Sequence, residues 1–368
     1  MAIILITKKN FLYYLMENIY LNYMLDNIES EGCEKGIVLA SPSKKNPNYY
    51  YHWIRDSAII IRTLIKSYEI NKDKNLKEKI INYVNCEIDL QNTKTLSGLG
   101  EPKFNIDKSS FNDNWGRPQN DSPALRSLAF IEIYNNDILE YNYEENKHFI
   151  NEIIYKNIKY ICDNIHNPCF DLWEEEVGFH LYTRLVQTKA IKEYLKIYKG
   201  NNFAFILKKY KEIKKVLSHH LNNEIISSYT SYGKILRKYD SSVFLGICHI
   251  NFDRNILDFS SAKFKNYMIE IENMFKNKYV INDNYFFSFL GRYLNDKYYN
   301  GQIWYICTIG LLRLYNKLND KEKAKYFIKY LNDLEDKNLS EQIEDVTMKK
   351  ISAEKLTWNY SEIYNLLL

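Results

Sequence analysis

Proline and glycine are scarce in this chain, at 6 and 12 of its 368 residues. No Pro-rich or Ser/Thr-rich stretch divides it and no low-complexity tail is present, so nothing marks a linker and a single domain over 1–368 is expected. Long apolar runs are also missing. None approaches the roughly 20 residues that cross a bilayer, which excludes a membrane partner. The apolar start, Met1 to Ile6, is shorter than a secretory core and leads into Lys8 and Lys9 rather than a small-residue cleavage site. That favours an intracellular or vacuolar location. Neither sign of charge dominates, with 50 basic and 46 acidic residues. No dense basic block appears, so a nucleic-acid partner is not expected. Gly98 and Gly100 are too sparse for a phosphate cradle, and no Walker-type Lys-Ser/Thr follows them.

Cysteine is sparse and scattered (Cys33, Cys86, Cys162, Cys169, Cys248, Cys307), which does not make a disulfide framework in a chain this long. Cys162, His166 and Cys169 resemble part of a zinc site, but no fourth ligand is evident and Pro168 stiffens the turn. They read as structural residues, and neither a metal nor a cofactor is expected.

What the chain does have is helical periodicity. Apolar residues recur at helical spacing over Phe11–Ile28, Ile59–Tyr68, Leu76–Ile88, Leu125–Tyr134, Phe149–Ile161 and Leu185–Tyr198. They continue over Phe205–Leu217, Val243–Ile250, Phe264–Phe275, Trp304–Leu314, Ala324–Leu331 and Leu356–Leu367. No run of alternating strands stands out, although the short Val243 stretch also suits a buried strand. Links after even-numbered helices are mostly short, as at Asn71–Lys74 and Gly200–Asn202. Links after odd-numbered ones are long: Glu29–Asp56, Asn92–Asp121, Asp163–His180, Asn222–Asp240, Lys276–Gly301 and Lys337–Glu354. Twelve helices alternating between two layers would close into an all-α (α/α)6 barrel, a six-hairpin toroid, with every long loop at one end. Loops gathered on a rigid scaffold are where sites are built.

The third long loop carries Asp171-Leu172-Trp173-Glu174-Glu175-Glu176. Such a run suits a solvated helix start, because Asp and Glu favour first turns. It also suits an acid catalyst: crowded carboxyls beside an indole raise one another's pKa, and a carboxyl kept protonated can donate. Elsewhere, Arg55-Asp56 opens an inner helix, where the pair can grip vicinal hydroxyls or Asp56 and Ser57 can merely cap it. Four of the five tryptophans (Trp53, Trp115, Trp304, Trp358) fall in the long loops or at the helix start that follows, and the fifth is Trp173. Aromatic rings gathered with Arg, Asp and Glu on one face suit a saccharide.

These loops resemble those of the glucoamylase family, glycoside hydrolase family 15. The matching stretches are Gly36–Ser43, Trp53–Ser57, Gly98–Asn105, Trp115–Gln119, Asp171–Glu175, Gly291–Tyr293, Tyr298–Gly301, Ser340–Gln342 and Leu356–Trp358, in the family's order. The resemblance implies an inverting exo-hydrolase that releases β-glucose from the non-reducing ends of α-1,4-glucans, with the glucan as partner and a monomeric chain. It implies Glu174 as general acid and Glu341 as general base, with Ser352 beside the base. Tyr49, Trp53, Arg55, Asp56, Trp115, Leu172, Trp173, Glu175, Arg292, Trp304 and Trp358 would bind substrate.

Inversion needs two carboxyls about 6.5–9.5 Å apart with water between base and sugar. Glu174 and Glu175 cannot supply that alone, since consecutive side chains do not face the same way. The chain also departs from the family. Its loops are short, no starch-binding module is expected, Ile303 replaces a common proline, and Glu176 adds an acid. Two other readings remain open: a non-catalytic glucan-binding barrel, such as that related to phosphorylase kinase regulatory subunits, and a hydrolase of trehalose or dextran.

Overall fold

The computed structural model describes residues 15–368. The apolar start and positions 11–14 of the first expected helix lie outside them. Thirteen α-helical stretches follow one another: α1 over 15–26, then α2 (Ile54–Asn71), α3 (Lys74–Asn92), α4 (Ser122–Asn135), α5 (Tyr143–His148), α6 (Tyr155–Asp163) and α7 (Leu181–Ile197). The rest are α8 (Phe203–His219), α9 (Ser242–His249), α10 (Ala262–Lys278), α11 (Tyr305–Lys317), α12 (Glu322–Asp333) and α13 (Thr357–Leu367). A π-helical turn over Phe149–Ile154 joins α5 to α6 without leaving helical dihedrals, so the two form one rod. That rod starts earlier than its apolar spacing suggested, because Asn142 and Glu145 make a capping box. The Val243 stretch is helical, as α9.

Six helices close a ring. Helix α2 packs on α4, α4 on α7, α7 on α9, α9 on α11, α11 on α13, and α13 returns to α2. The other six form an outer layer. Helix α3 lies on α2, α6 on α4, α8 on α7 and α12 on α11. Tyr20 of α1 stacks on Tyr360 of α13 at 6.0 Å. Phe264 and Tyr267 of α10 pack on Phe244 of α9. The sequence encodes the two layers differently. In outer α12 the buried residues are Ala324, Phe327, Ile328 and Leu331, one stripe at helical spacing. In inner α2, every residue from Ile54 to Ile65 is buried, because neighbours cover it on all sides. This is the (α/α)6 barrel that the alternation of loop lengths predicts.

The inner ring is filled by polar side chains as well as apolar ones. Each inner helix sends one buried or half-buried group to a shared network: Arg62, Glu132, Tyr182, His249, Arg313 and Glu362. Arg62 donates to Glu132 at 2.7 Å and to the His249 carbonyl at 2.8 Å. His249 bridges the Tyr182 hydroxyl at 2.9 Å and Glu362 at 2.8 Å. Arg313 pairs with Glu362. Burial would raise the Glu362 carboxyl, but Arg313 and His249 outweigh it and hold it far below the usual range.

The long loops are not strandless. They form three small sheets whose strands are too short to show alternation in the sequence. Strand β1 (His52–Trp53) pairs with β2 (Lys103–Phe104). Strands β3 (Cys169–Phe170), β4 (Val177–His180), β5 (Ser228–Tyr229) and β6 (Ile235–Arg237) form the second sheet. Strands β7 (Ile303–Trp304), β8 (Gln342–Ile343) and β9 (Lys350–Ile351) form the third. Ile303, which stands where the resembling family commonly has proline, pairs with Ile343 in the third sheet. These sheets tie the loops together at the N-terminal mouth of the inner ring.

Replacing Arg313 by Met leaves Glu362 buried with only His249 and Trp358 as partners. The variant should lose about 3–5 kcal/mol of stability at pH 7, as broken buried ion pairs do. The carboxyl's folded pKa is depressed, so its contribution is present above its unfolded value and lost as pH falls. The gap between wild type and variant in urea unfolding should therefore narrow below about pH 4; a gap under about 1 kcal/mol at neutral pH would contradict the role given to this pair.

Candidate active site

A cavity of about 270 Å³ opens at the mouth of the ring. All five tryptophans line it, and so does every residue expected at the site: Tyr49, Trp53, Arg55, Asp56, Trp115, Leu172, Trp173, Glu174, Glu175, Arg292, Trp304, Glu341 and Trp358. They come from five of the six long loops and from the first turns of inner helices.

The acidic run is the connection of a β-hairpin between β3 and β4, not a helix start. Asp171 organises it. Its carboxylate accepts the backbone N–H groups of Glu175 at 2.8 Å and Glu176 at 3.2 Å, and it pairs with Arg237. Burial would raise the Asp171 carboxyl, yet Arg237, His180 and the Glu175 N–H hold it below its ordinary value. Mutual raising of pKa within the run therefore does not apply to Asp171. Glu174 sits in the left-handed region, at φ 66°, a conformation that is uncommon outside glycine and concentrates at functional sites.

Four N–H donors hold the Glu174 carboxylate. Trp53 Nε1 donates to Oε1 at 2.7 Å, Gln119 Nε2 at 2.9 Å and Arg55 Nη2 at 3.3 Å. Trp115 Nε1 donates to Oε2 at 2.7 Å. Gly116 lets the Trp115 loop approach this closely, since a Cβ there would lie 2.9 Å from the Glu174 carbonyl.

Arg55 and Asp56 occupy the first turn of α2, but neither Asp56 nor Ser57 caps it. The cap position is Trp53, and Ser57 bonds Glu87 instead. Arg55 donates to Gln119 at 2.8 Å and to Asp121 at 3.0 Å, and its buried Nε has no hydrogen-bond partner. Asp56 lies 3.6 Å from that Nε. Burial pushes the Asp56 carboxyl up to about 7; Arg55 opposes this, while Glu174 and Asp121 add to it. Trp304 Nε1 is likewise buried and unpartnered. Polar groups left open on a cavity wall suit hydroxyls brought by a ligand.

Glu341 precedes β8 and is buried. Register places Gln342 opposite Trp304, which brings the two distant loops together. Ser352 donates to the Glu341 carboxylate, and the Tyr49 hydroxyl lies near enough to favour its ionised form. The Tyr298 hydroxyl lies 3.2 Å from both the Tyr49 and Ser352 hydroxyls, completing a network around the carboxyl. Burial raises the Glu341 carboxyl above its ordinary value, against the pull of Ser352 and Tyr49.

At the lip, Arg292 uses Nε and Nη2 on Asp296 and Nη2 also on Glu175 Oε1 at 2.6 Å. Glu175 Oε2 accepts from Arg237 at 3.1 Å and from the Tyr293 hydroxyl. Trp173 donates to Asp240 at 3.0 Å and meets Trp304 edge-on. Trp358 donates to Glu362 at 3.0 Å, so the cavity floor rests on the polar network inside the ring.

The sequence reading passed over Gln119, Asp121, Tyr298 and Arg237 as site residues. Gln119 and Tyr298 lie inside quoted motifs, so only their roles were missed. Arg237 comes from the Asn222–Asp240 loop, which carries no Trp or Gly-rich signal. Among the described residues, no group of three or more His, Cys, Asp or Glu side chains is disposed to hold a metal ion. His166 pairs with Glu212 rather than with the nearby cysteines.

A family model described as Glycosyl hydrolases family 15 matches residues 17–334. The chain is 31% identical to a glucoamylase of Saccharomycopsis fibuligera over 94% of its own length and 77% of that protein's. It is 31% identical to glucoamylase 1 of Rhizopus oryzae, covering 79% of this chain and 52% of the relative. With a glucoamylase of Blastobotrys adeninivorans it shares 29% identity over 82% of this chain and 54% of that one. It thus spans about half the length of the last two. Among solved structures, a Saccharomycopsis fibuligera glucoamylase superposes with a TM-score of 0.84 at 24% identity, over 96% of this chain and 94% of that one. At that identity the likeness concerns the fold.

The Ser352 hydroxyl favours the ionised form of Glu341, so Ser352→Ala should raise that carboxyl further. Carbon-13 NMR of labelled glutamate should show the Glu341 signal titrating at higher pH in the variant, as expected when a hydrogen bond to a charge is lost. An unchanged or lower midpoint would show that the hydroxyl does not stabilise the carboxylate.

Proposed function

The chain belongs to the glycosyl hydrolases of family 15, and from that premise we propose that it is an inverting, exo-acting α-1,4-glucan hydrolase of the glucoamylase type. One observation carries the reading. Glu174 and Glu341, from loops far apart in the chain, open into the same tryptophan-lined cavity.

In the proposed reaction the terminal glucose lies among the five indoles. Arg55 Nε, the Asp56 carboxylate, Trp304 Nε1 and the free nitrogen of Arg292 bind its hydroxyls, and Glu175 binds the adjoining unit. Glu174 gives a proton to the glycosidic oxygen. The C1–O bond breaks with its electron pair on that oxygen, leaving Glu174 as a carboxylate. Water attacks C1 from the opposite face and loses a proton to Glu341, so the product is β-glucose. Tyr49 and Ser352 keep Glu341 oriented. The Trp53, Trp115, Gln119 and Arg55 donors receive the Glu174 carboxylate in the geometry in which it forms, so no reorganisation is needed then.

Glu174→Gln or Glu341→Gln should lower turnover of maltotriose about 10²–10⁴-fold, the size of general acid or base assistance, with the helical circular dichroism unchanged. Wild-type rates in either variant would end this assignment. Proton NMR during hydrolysis should show the β-anomer first; α-glucose first would mean retention. A panel of maltose, isomaltose, trehalose and soluble starch should show preference for the α-1,4-linked members, whereas binding without turnover of any would favour a non-catalytic barrel.

A further inference from the structure

Lys103 is 1% exposed and lies in a cage of aromatic rings. Its Nζ is 3.2 Å from the centre of the Trp115 ring, 4.1 Å from Phe111, and 4.5 Å from both Tyr51 and Trp53. No carboxylate forms an ion pair with it among the described residues. Ring faces carry negative charge and attract a cation, the more so when it is desolvated. The placement comes from the backbone: in the β1–β2 ladder Lys103 is the direct partner of Trp53, and side chains at such positions are neighbours. Two of the four rings are the indoles whose N–H groups hold the two oxygens of Glu174. The cation thus stands behind the donors that hold the proposed acid.

We propose, on the basis of the hydrolase reading above, that Lys103 is a positioning residue for proton donation by Glu174. It braces the Trp53 and Trp115 indoles from behind and sets a positive charge where the carboxylate develops. As Glu174 passes its proton to the glycosidic oxygen and the C1–O bond breaks, the negative charge left on Glu174 faces two indole N–H groups backed by an ammonium. Lys103 itself neither gains nor loses a proton.

Surrounding charges agree with this role. Burial pushes the Lys103 ammonium down to about 8, and Glu174 leads the charges that oppose the loss, ahead of Asp113 and Glu101, while Arg117 favours it. Around Glu174 stand Arg55, Asp56 and Tyr49 as well, so Lys103 and Arg55 are the cations that balance its charge. The benefit arises only when the proton leaves, so it belongs to kcat and not to ground-state binding.

The test compares Lys103→Met and Lys103→Arg on two substrates, maltose and α-D-glucosyl fluoride. Fluoride departs with little help from an acid, so that substrate isolates the proton-donating step. K103M should lower kcat on maltose about 10–100-fold, in the range of a lost transition-state charge contact, with KM within about twofold. The loss on glucosyl fluoride should stay below about threefold. K103R, which keeps the charge, should recover most of the maltose rate. Near-ultraviolet circular dichroism checks the indole packing, and Phe111→Leu, which loosens the cage away from the cavity, should show the same pattern at smaller size if K103M does not fold. Equal losses on both substrates, a loss carried by KM instead of kcat, or K103M and K103R behaving alike would overturn the proposal. A wild type that hydrolyses neither substrate would instead refute the hydrolase reading on which it rests.

Discussion

One carboxylate organises this molecule's mouth. Glu174 is bonded by Trp53 and Arg55 from the end of the first long loop and the start of α2, and by Trp115 and Gln119 from the second. Its own hairpin belongs to the third. Three loops therefore converge on one side chain, and each holds the others in place through it. The arrangement depends on the donors being rigid. Indole N–H groups on packed rings cannot swing away as a lysine would, so the acceptor's position is set to within the play of the packing. The left-handed backbone at Glu174 is tolerated because those partners over-determine it.

The closed ring makes the convergence possible. The inner helices all begin at the mouth, so Arg55, Asp56 and Trp358 project from first turns, and Trp304 immediately precedes one. First turns are the stiffest places from which to present a side chain beside a loop, and their exposed N–H groups favour the anionic groups of the site. The small sheets then couple loops distant in sequence, as when β7 and β8 set Trp304 beside the segment that carries Glu341.

The ring was legible because twelve stretches carry helical apolar spacing and the links between them alternate between trimmed and long. The different burial of inner and outer helices appears only in the structure. The cavity was legible because tryptophan is rare here and sits only in loops or at helix starts. What escaped were features with no one-dimensional trace. Strands of two residues cannot display a period of two. The run Asp171–Glu176 carries the composition of a helix start, yet pairing of β3 with β4 makes it a hairpin, a contact no local pattern encodes. Lys103 lies inside the Gly98–Asn105 stretch, and its aromatic cage appears only when β2 is laid against β1. Gln119 and Tyr298 lay in plain view inside motifs, but a neutral side chain declares its role only through its partners.

The polar network from all six inner helices has a further consequence. Glu362, His249, Tyr182, Arg313, Arg62 and Glu132 close the far side of the cavity floor, behind Trp358. The network therefore backs the cavity on the side away from the mouth. In the proposed reaction the unit cut off would lie deeper than the chain it came from. The product would leave only after the shortened chain has backed out, so each round would begin with a fresh docking from solution. On that reading the site is a turnstile and not a conveyor: the time spent leaving and returning would be built into every cycle by the same side chains that back the cavity.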